Sequence, residues 1–470
     1  MLLALALGCD PHPAGPPNIV LVSLDTLRAD HLGSYGDTRG LTPNLDRFAG
    51  QAVRFSRATA VANETLYSHA ALFSGRYASE LAPMTYALRA PADVPVLAEI
   101  LGLYGYTTGA AVGGGHLAPE LGLDRGFDHY DSVAEWGGLY HTVPAALRWL
   151  DTVDGPSLLF VHGYDTHHRY LKPAPFGYLE VDGTPHGAAE EAVLHPSGTA
   201  RVLDGWLVPP SEALAALDYD AARIWDDEAR AAVADLARQV RAGHIGESGV
   251  VTLRNTYAGA VAYADAMFGL LMAGLDERGA LDDSWILVFS DHGESLGERG
   301  LFNHRFTLSD ADLEVPLLIR PPGGTTPAEV DDLVTLLDVL PTVLAIAEAS
   351  PPASLRGHSL VPALEGRPLP ERVWAFAEGS FRMVRVHDEA GALTYTGLSA
   401  DHPWLGPVLE VSAQDGPGFD AAHLDPHRFD TLRDALVSWR KSLPPTPGAE
   451  GTLDPAVRDK LRDGGYWGGR

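Results

Sequence analysis

The sequence predicts an α/β fold: a doubly wound, mostly parallel sheet followed by a small C-terminal α+β domain. Three observations predict it. Continuous β-branched apolar runs recur along the chain, as in strands buried on both faces. Amphipathic helical stretches lie between them. After about residue 370 this alternation stops.

The first run is Asn18-Ile-Val-Leu-Val-Ser-Leu24, and similar runs are Thr107–Val112, Ser157–Val161, Trp285–Phe289 and Val315–Ile319. A helix over Asn44–Ala52 follows the turn Thr42-Pro43. Val94–Leu103 and Pro144–Leu150 are amphipathic. Tyr257, Ala260, Val261, Ala264, Phe268, Leu271 and Leu275 form an i, i+3/i+4 stripe on one long helix, and Leu333–Ala347 is another helical stretch. Residues 176–250 interrupt the rhythm with an Ala-, Asp-, Glu- and Gly-rich insertion, expected over one edge of the sheet, with a surface helix at Asp226–Arg241. Beyond residue 370, Arg382–Val386 and Leu393–Thr396 read as a hairpin and Phe429–Trp439 as a closing helix. The expected domains are a tail over 1–17, a main α/β domain over 18–370 and a small α+β domain over 371–470.

Composition narrows the function. The chain has 470 residues, 46% hydrophobic, 20% charged and 8% aromatic, which is ordinary globular usage. A net charge of −28 argues against nucleic acid as a partner, because a phosphate backbone would be repelled. No uninterrupted apolar run reaches the ~18 residues of a membrane span. The single cysteine, Cys9, excludes a disulfide framework within the chain and a cysteine metal knuckle. It follows Met1-Leu-Leu-Ala-Leu-Ala-Leu-Gly8 and precedes the proline-rich Asp10–Pro17. This looks like the tail of a bacterial lipoprotein signal, cut before an acylated Cys9 and followed by an extended tether. That reading calls for a start upstream of Met1 and places the protein outside the cytoplasm, in the periplasm or at the cell surface.

In an open parallel sheet, ligands bind beyond the carboxyl ends of the strands. The first run ends Ser23-Leu-Asp25-Thr26. Trp285–Phe289 ends Ser290-Asp291-His292-Gly293-Glu294, and Ser157–Val161 ends His162-Gly-Tyr-Asp165-Thr-His167-His168. Taken singly, an Asp in such a place is more often a turn or cap residue. Together, two strand-end aspartates and an adjacent histidine form a hard oxygen/nitrogen set suited to Ca²⁺, Mg²⁺, Mn²⁺ or Zn²⁺. The stretch Thr65-Leu-Tyr-Ser68-His69-Ala-Ala-Leu-Phe-Ser-Gly75-Arg76 reads as a helix start. Thr65 near its N-terminus would face exposed N–H groups that favour an anion or alkoxide. A plain N-cap role for Thr65 or Ser68 is the competing reading. Arg28 and Asp30 read as a loop pair, Glu294 and Glu298 as first-turn helix residues, and His162, His168 and His358 as solvated or core histidines.

These blocks, in this order, resemble the sulfatase family of the alkaline phosphatase superfamily. The resemblance runs over most of residues 18–365. Beyond the segments already quoted, it rests on Asp25-Thr-Leu-Arg-Ala-Asp30-His-Leu-Gly33, Leu41-Thr-Pro-Asn-Leu-Asp46, Leu123-Asp-Arg-Gly-Phe-Asp128 and Phe160–His167. It continues through Ser290–Gly300 with His304, Val315–Ile319 and Thr335-Leu-Leu-Asp-Val-Leu-Pro341. The resemblance implies an alkaline phosphatase/sulfatase-type sheet. It implies that Asp25, Asp291 and His292 bind metal and that Thr65 is both nucleophile and metal ligand. His167 and His304 match positions that contact the transferred anion or a second metal. His116, in Gly113-Gly-Gly-His116, lies near where many sulfatases carry Lys-Trp-His, here without the lysine.

The chain departs from the family at one decisive place. Sulfatases carry Cys or Ser in Cys-x-Pro-Ser-Arg, matured to formylglycine. Here Thr65, Tyr67 and His69 stand at the first, third and fifth of those positions, so no formylglycine is expected. Threonine at this position is also found in phosphoethanolamine transferases and lipoteichoic acid synthases. Three readings follow. The first is a metal-dependent hydrolase of a sulfate, phosphate or phosphonate ester, taking a small-molecule, glycan or lipid substrate. The second is a phosphoryl-group transferase with an alcohol acceptor. The third is a non-catalytic binding protein on a sulfatase scaffold, against which the retained Asp25, Thr65, Asp291 and His292 argue. One divalent cation is expected, with room for a second; the membrane is reached only through a lipid on Cys9.

Overall fold

The computed structural model describes residues 15–81, 91–132, 136–167, 170, 201–203, 205–208, 247–298, 301–305, 307–379, 383–388, 391–396, 407–411 and 426–444. The Cys9 segment and the helix expected at Asp226–Arg241 lie outside them.

Asn18–Leu24 forms β1, with Val53–Phe55 as β2, Thr107–Val112 as β3, His129–Ser132 as β4, Ser157–Gly163 as β5, Ser284–Phe289 as β6, Leu317–Arg320 as β7 and Ala328–Val330 as β8. They make one eight-stranded sheet in the order β8-β2-β7-β6-β1-β5-β3-β4. β1 is parallel to both β5 and β6, while β7 runs antiparallel to β6 and β2. The sheet is therefore mostly parallel with one reversed strand. The apolar run at Val315–Ile319 carried no sign of its direction, and its ladder begins only at Leu317.

β1 shows why these runs are strands. Ile19 and Leu21 enter the core on one face, Val20, Val22 and Leu24 on the other, so a period of two buries every side chain. Helices Pro43–Ala49 (α1), Leu139–Leu150 (α4) and Glu247–Glu277 (α5) cover one face. Thr65–Ser74 (α2), Leu97–Leu103 (α3) and Val339–Ile346 (α6) cover the other. The stretch Leu333–Ala347 is not one helix: a short strand at Val334–Thr335 and a 3-10 turn at Leu336–Asp338 precede α6.

Within α5, Leu253–Glu277 is long and apolar enough to cross a membrane, with mean hydropathy 1.5, although charged residues interrupt its run. Its best window is 94% buried inside the protein, which makes it a core helix. Asp265 on α5 serves α1. Its carboxylate accepts the backbone N–H of Asn44 at 3.1 Å and of Leu45 at 2.8 Å, two donors that a helix start leaves unpaired. Of the inserted region, a hairpin of Arg201–Leu203 and Trp206–Val208 lies on α1 and α5, where Asn44 Nδ2 donates to Leu207 O. This hairpin covers the helical layer; residues 176–200 and 209–246 of the insertion expected over a sheet edge lie outside the described residues.

A second sheet comprises Ala375–Gly379 (β9), Met383–Asp388 (β10), Gly391–Thr396 (β11) and Pro407–Val411 (β12), all antiparallel. Helix Pro426–Ser442 (α7) packs Leu432, Leu436 and Trp439 into a cluster that includes Val386 and, from the main body, Val61, Ala71, Tyr77 and Leu337.

Candidate metal and active centre

The centre lies at the carboxyl ends of β1, β5 and β6. Asp25 follows β1, and its backbone N–H donates to Gly163 O at the end of β5 (3.1 Å). Thr26, next in the chain, has φ +58°, a left-handed conformation that is uncommon for a non-glycine residue. Three contacts hold it there. Its Oγ1 donates to Thr166 O, its carbonyl accepts the hydroxyl of Tyr257 on α5, and its N–H donates to Asp291 Oδ1 at 3.3 Å. The turn thus points an amide at the carboxylate that ends β6.

α2 delivers the hydroxyl. Thr65 is the first helical residue and Glu64, extended at φ −146°, is its cap position, so neither Thr65 nor Ser68 is the N-cap. Ser68 Oγ donates instead to Asp291 O at 2.6 Å, fastening α2 to the end of β6. The helix stops at Gly75, which is left-handed (φ +66°) and whose N–H returns to Ala71 O. At the other side of the motif, Gly293 is obligatory: a Cβ there would stand 2.0 Å from Ala311 O.

Asp25, Asp291 and His292 each offer a ligand atom, and these atoms lie within 4.8 Å of one another. Thr65 Oγ1 donates to Asp25 Oδ2 at 3.0 Å. The hydrogen bonds leave a specific set of atoms over. Asp291 Oδ1 takes the N–H groups of Thr26 and His292, and His292 Nδ1 meets Gly293 O at 3.0 Å. Asp25 Oδ2 takes Thr65 and His162. Asp25 Oδ1, Asp291 Oδ2 and His292 Nε2 remain buried with no hydrogen-bond partner among the described residues. Two carboxylate oxygens and an imidazole nitrogen whose other nitrogen is held by a carbonyl fit a divalent cation. Without one, the two buried carboxylates are costly. Burial pushes Asp25 up to about 6, and burial together with the charge of Asp25 raises Asp291. Burial pulls His292 down, but Asp291 and Asp25 outweigh it and hold it above its usual value.

The other expected residues gather on one side. The rings of His292 and His304 have centroids 4.4 Å apart, and His304 and His167 4.9 Å. His304 Nδ1 lies 3.4 Å from Glu294 Oε1. His116 is fully buried in a 3-10 turn with its ring edge-on to Trp136; burial, then the charge of His292, lowers it to about 3. Arg28 pairs with Asp30 at 2.7 Å, as the sequence suggested, and also with Glu298 at 2.8 Å. Glu294 is not in a helix: it precedes the short strand Ser295–Leu296, whereas Glu298 opens a 3-10 turn in which the Leu301 N–H returns to Glu298 O at 2.9 Å.

Two histidines that sequence reasoning set aside or left without a role stand behind the carboxylates. His162 Nε2 is 3.2 Å from Asp25 Oδ2. His69 Nδ1 is 2.8 Å from Thr65 O, its Nε2 is 3.0 Å from Ser23 Oγ, and Asp291 Oδ2 lies 3.6 Å from it. Burial lowers both to about 4, so both are neutral. A polar residue at the carboxyl end of each of two adjacent buried strands, Ser23 and His162, was the available signal.

A hydroxyl, two carboxylates and a cluster of imidazoles thus meet on the carboxyl rim of a mostly parallel sheet. The model of the Sulfatase family matches residues 17–349, and the chain belongs to that family. It is 27% identical to the steryl-sulfatase of Mus musculus over 96% of this chain and 82% of that one. It is 25% identical to the N-acetylglucosamine-6-O-sulfatase of Bacteroides thetaiotaomicron over 74% and 71% of the two chains. Among solved structures, the phosphonate monoester hydrolase of Agrobacterium radiobacter has the same fold, with TM-score 0.67 and 21% identity over 91% of this chain and 95% of that one. So has a protein solved with its substrate D-glucosamine-2-N,6-O-disulfate, with TM-score 0.68 and 20% identity over 91% and 98%.

Proposed function

We propose that this chain is a cation-dependent hydrolase of phosphate or phosphonate esters that uses Thr65 as its nucleophile. One observation carries the reading: Thr65, which the motif resemblance matches to the formylglycine precursor, has its Oγ1 3.0 Å from Asp25 Oδ2, beside the Asp25–Asp291–His292 cluster. A formylglycine hydrate expels sulfate because a second hydroxyl on the same carbon collapses the intermediate. Thr65 has one hydroxyl. A sulfated Thr65 could leave only by attack at sulfur, whereas a phosphorylated Thr65 is resolved by in-line attack of water at phosphorus.

Asp25, Asp291 and His292 would hold the divalent cation, with the Thr65 oxygen as a further ligand. When bound, the cation supplies charge for a non-bridging ester oxygen and favours the ionised hydroxyl. Thr65 Oγ releases its proton to solvent and attacks phosphorus, and the bond from phosphorus to the leaving oxygen breaks. The departing alcohol takes a proton from His304, which Glu294 orients. Water then attacks phosphorus and gives a proton to the now neutral His304, the bond to Thr65 Oγ breaks, the threonine oxygen regains its proton from solvent, and phosphate or phosphonate leaves. His167 and His116 contact the anion from the same side as hydrogen-bond donors, His116 in its neutral form because burial lowers it to about 3. Among its relatives are a protein named for N-acetylglucosamine-6-O-sulfate and one solved with a disulfated glucosamine, which supports a sugar ester as substrate. The chain is anchored outside the cytoplasm by a lipid on Cys9; mass spectrometry of native material checks this, and an unmodified Cys9 removes it.

The test is turnover of aryl sulfate, phosphate and phosphonate esters side by side, with unmodified Thr65 verified by mass spectrometry. Phosphate or phosphonate esters should turn over well above sulfates. Efficient sulfate cleavage by unmodified Thr65 would overturn the reading.

A further inference from the structure

We propose that His162 is a positioning residue for the cation site, pinning Asp25 by a hydrogen bond from Nε2–H to Oδ2 so that Oδ1 faces the cation. The proposal rests on the reading of Asp25, Asp291 and His292 as a cation site.

His162 is placed by backbone pairing. Its strand partner in the β1–β5 ladder is Ser23, and the register continues through Leu24–Gly163 to the Asp25 N–H on Gly163 O. The ladder therefore delivers His162 and Asp25 to the same rim at a fixed offset. The ring is fully buried and boxed edge-on by Tyr164, with centroids 4.6 Å apart, and by His69 at 5.3 Å. Its Nε2 lies 3.2 Å from Asp25 Oδ2, while its Nδ1 has no hydrogen-bond partner among the described residues. Only the tautomer with the proton on Nε2 makes a hydrogen bond to the carboxylate.

Asp25 Oδ2 has a second donor, Thr65 Oγ1. That donor is lost when the Thr65 hydroxyl gives up its proton to act. His162 is then the side-chain donor that stays, and it keeps the carboxylate from rotating while the threonine oxygen turns to phosphorus. A buried carboxylate oxygen left without a donor pays its desolvation in full, or it swings toward the cation and spoils the geometry.

The same surroundings bear on a different role for His162. His69, His162 and Asp291 also offer ligand atoms within 4.8 Å of one another. Both nitrogens of His69 are engaged, however, Nδ1 with Thr65 O at 2.8 Å and Nε2 with Ser23 Oγ at 3.0 Å. That leaves His69 no lone pair for a cation, so these histidines buttress the site rather than form another.

The experiment is calorimetric titration of the chelator-treated chain with Mn²⁺, for wild type, Asp291→Asn, His162→Phe and His162→Gln, with melting temperatures taken in EDTA. His162→Phe keeps the ring volume but removes the donor; His162→Gln restores an N–H at nearly the same reach. Wild type should bind Mn²⁺, and Asp291→Asn should abolish binding. Loss of the outer donor should weaken Mn²⁺ by about 10–100-fold in His162→Phe, while His162→Gln stays within about threefold of wild type. Should the Phe variant not fold, His162→Asn, whose amide stops short of Asp25, replaces it with the same expected weakening. Equal affinities of wild type and the donor-less variant would overturn the role of His162 while leaving the cation site standing. Two Mn²⁺ per wild-type chain falling to one in both the Phe and Gln variants would overturn it too, by making His162 a direct ligand. Absence of Mn²⁺ binding in wild type would refute the cation site itself and the inference with it.

Discussion

Thr65 Oγ1 and Asp25 Oδ2 lie 3.0 Å apart, joining the first turn of α2 to the end of β1 across 40 residues of sequence. Asp25 Oδ2 also receives His162, so a single carboxylate oxygen ties the candidate nucleophile to the central ladder of the sheet. The predictions below test what that junction does.

Replacing the hydroxyl of Thr65 removes the proposed nucleophile but leaves Asp25, Asp291 and His292 in place. Thr65→Ala should cut turnover by roughly 10³-fold or more, with Mn²⁺ binding retained, and Thr65→Ser should recover part of the activity. Steady-state kinetics with paired calorimetry checks this. Undiminished turnover in Thr65→Ala would move the nucleophile elsewhere.

His304 matters in proportion to how badly the leaving group needs a proton. His304→Gln should lower kcat on an alkyl ester by about 10²-fold or more. On a nitrophenyl ester, whose phenolate leaves unaided, the loss should be much smaller. A loss of the same size on both substrates would assign His304 to anion or metal binding instead.

The carboxylates link the cation to pH. In the cation-free chain Asp25 titrates at about 6 instead of 3.8. The folded chain then keeps a proton that the unfolded chain has released. Cation-free stability from this group is greatest at low pH and is lost as pH rises through about 6. The upward shift of Asp291 acts in the same direction. A bound cation replaces the proton. EDTA should therefore lower the melting temperature more at pH 7.5 than at pH 5, and Asp25→Asn should raise the melting temperature of the EDTA-treated protein at pH 7.5. Equal EDTA shifts at both pH values would place the cation away from Asp25.

Asp265 gives a prediction remote from the site. Removing its acceptors leaves the N–H groups of Asn44 and Leu45 buried at the start of α1. Asp265→Ala should cost roughly 2–4 kcal/mol in urea unfolding, and Asp265→Asn, which keeps one acceptor, less. Burial pushes Asp265 up to about 8. Its stabilising proton is lost as pH rises through that value, so the Asn variant should compare better with wild type at pH 9 than at pH 6. A pH-independent difference would show that Asp265 stays ionised.

The fold was legible because burial on both faces writes itself as unbroken apolar runs, and β1, β3 and β6 start and stop within a residue of them. The direction of β7 was not, because an apolar run has no polarity; pairing with β6 and β2 sets it. The apolarity of α5 was spread between charged residues and so showed as a stripe, and its burial against α1, α4 and the sheet is a property of packing.

By itself the sequence determined the α/β class, the carboxyl rim as the place to look, and Asp25, Thr65, Asp291 and His292 as candidates, because strand ends and an ordered set of motifs are local or nearly local signals. Only the tertiary structure decided which oxygen of each carboxylate is left over, that Thr26 holds a left-handed turn to donate to Asp291 265 residues away, and that His162 stands behind Asp25. The reason is physical: a hydrogen bond is fixed by ladder register and side-chain direction to within tenths of an ångström, and neither exists until the strands have paired.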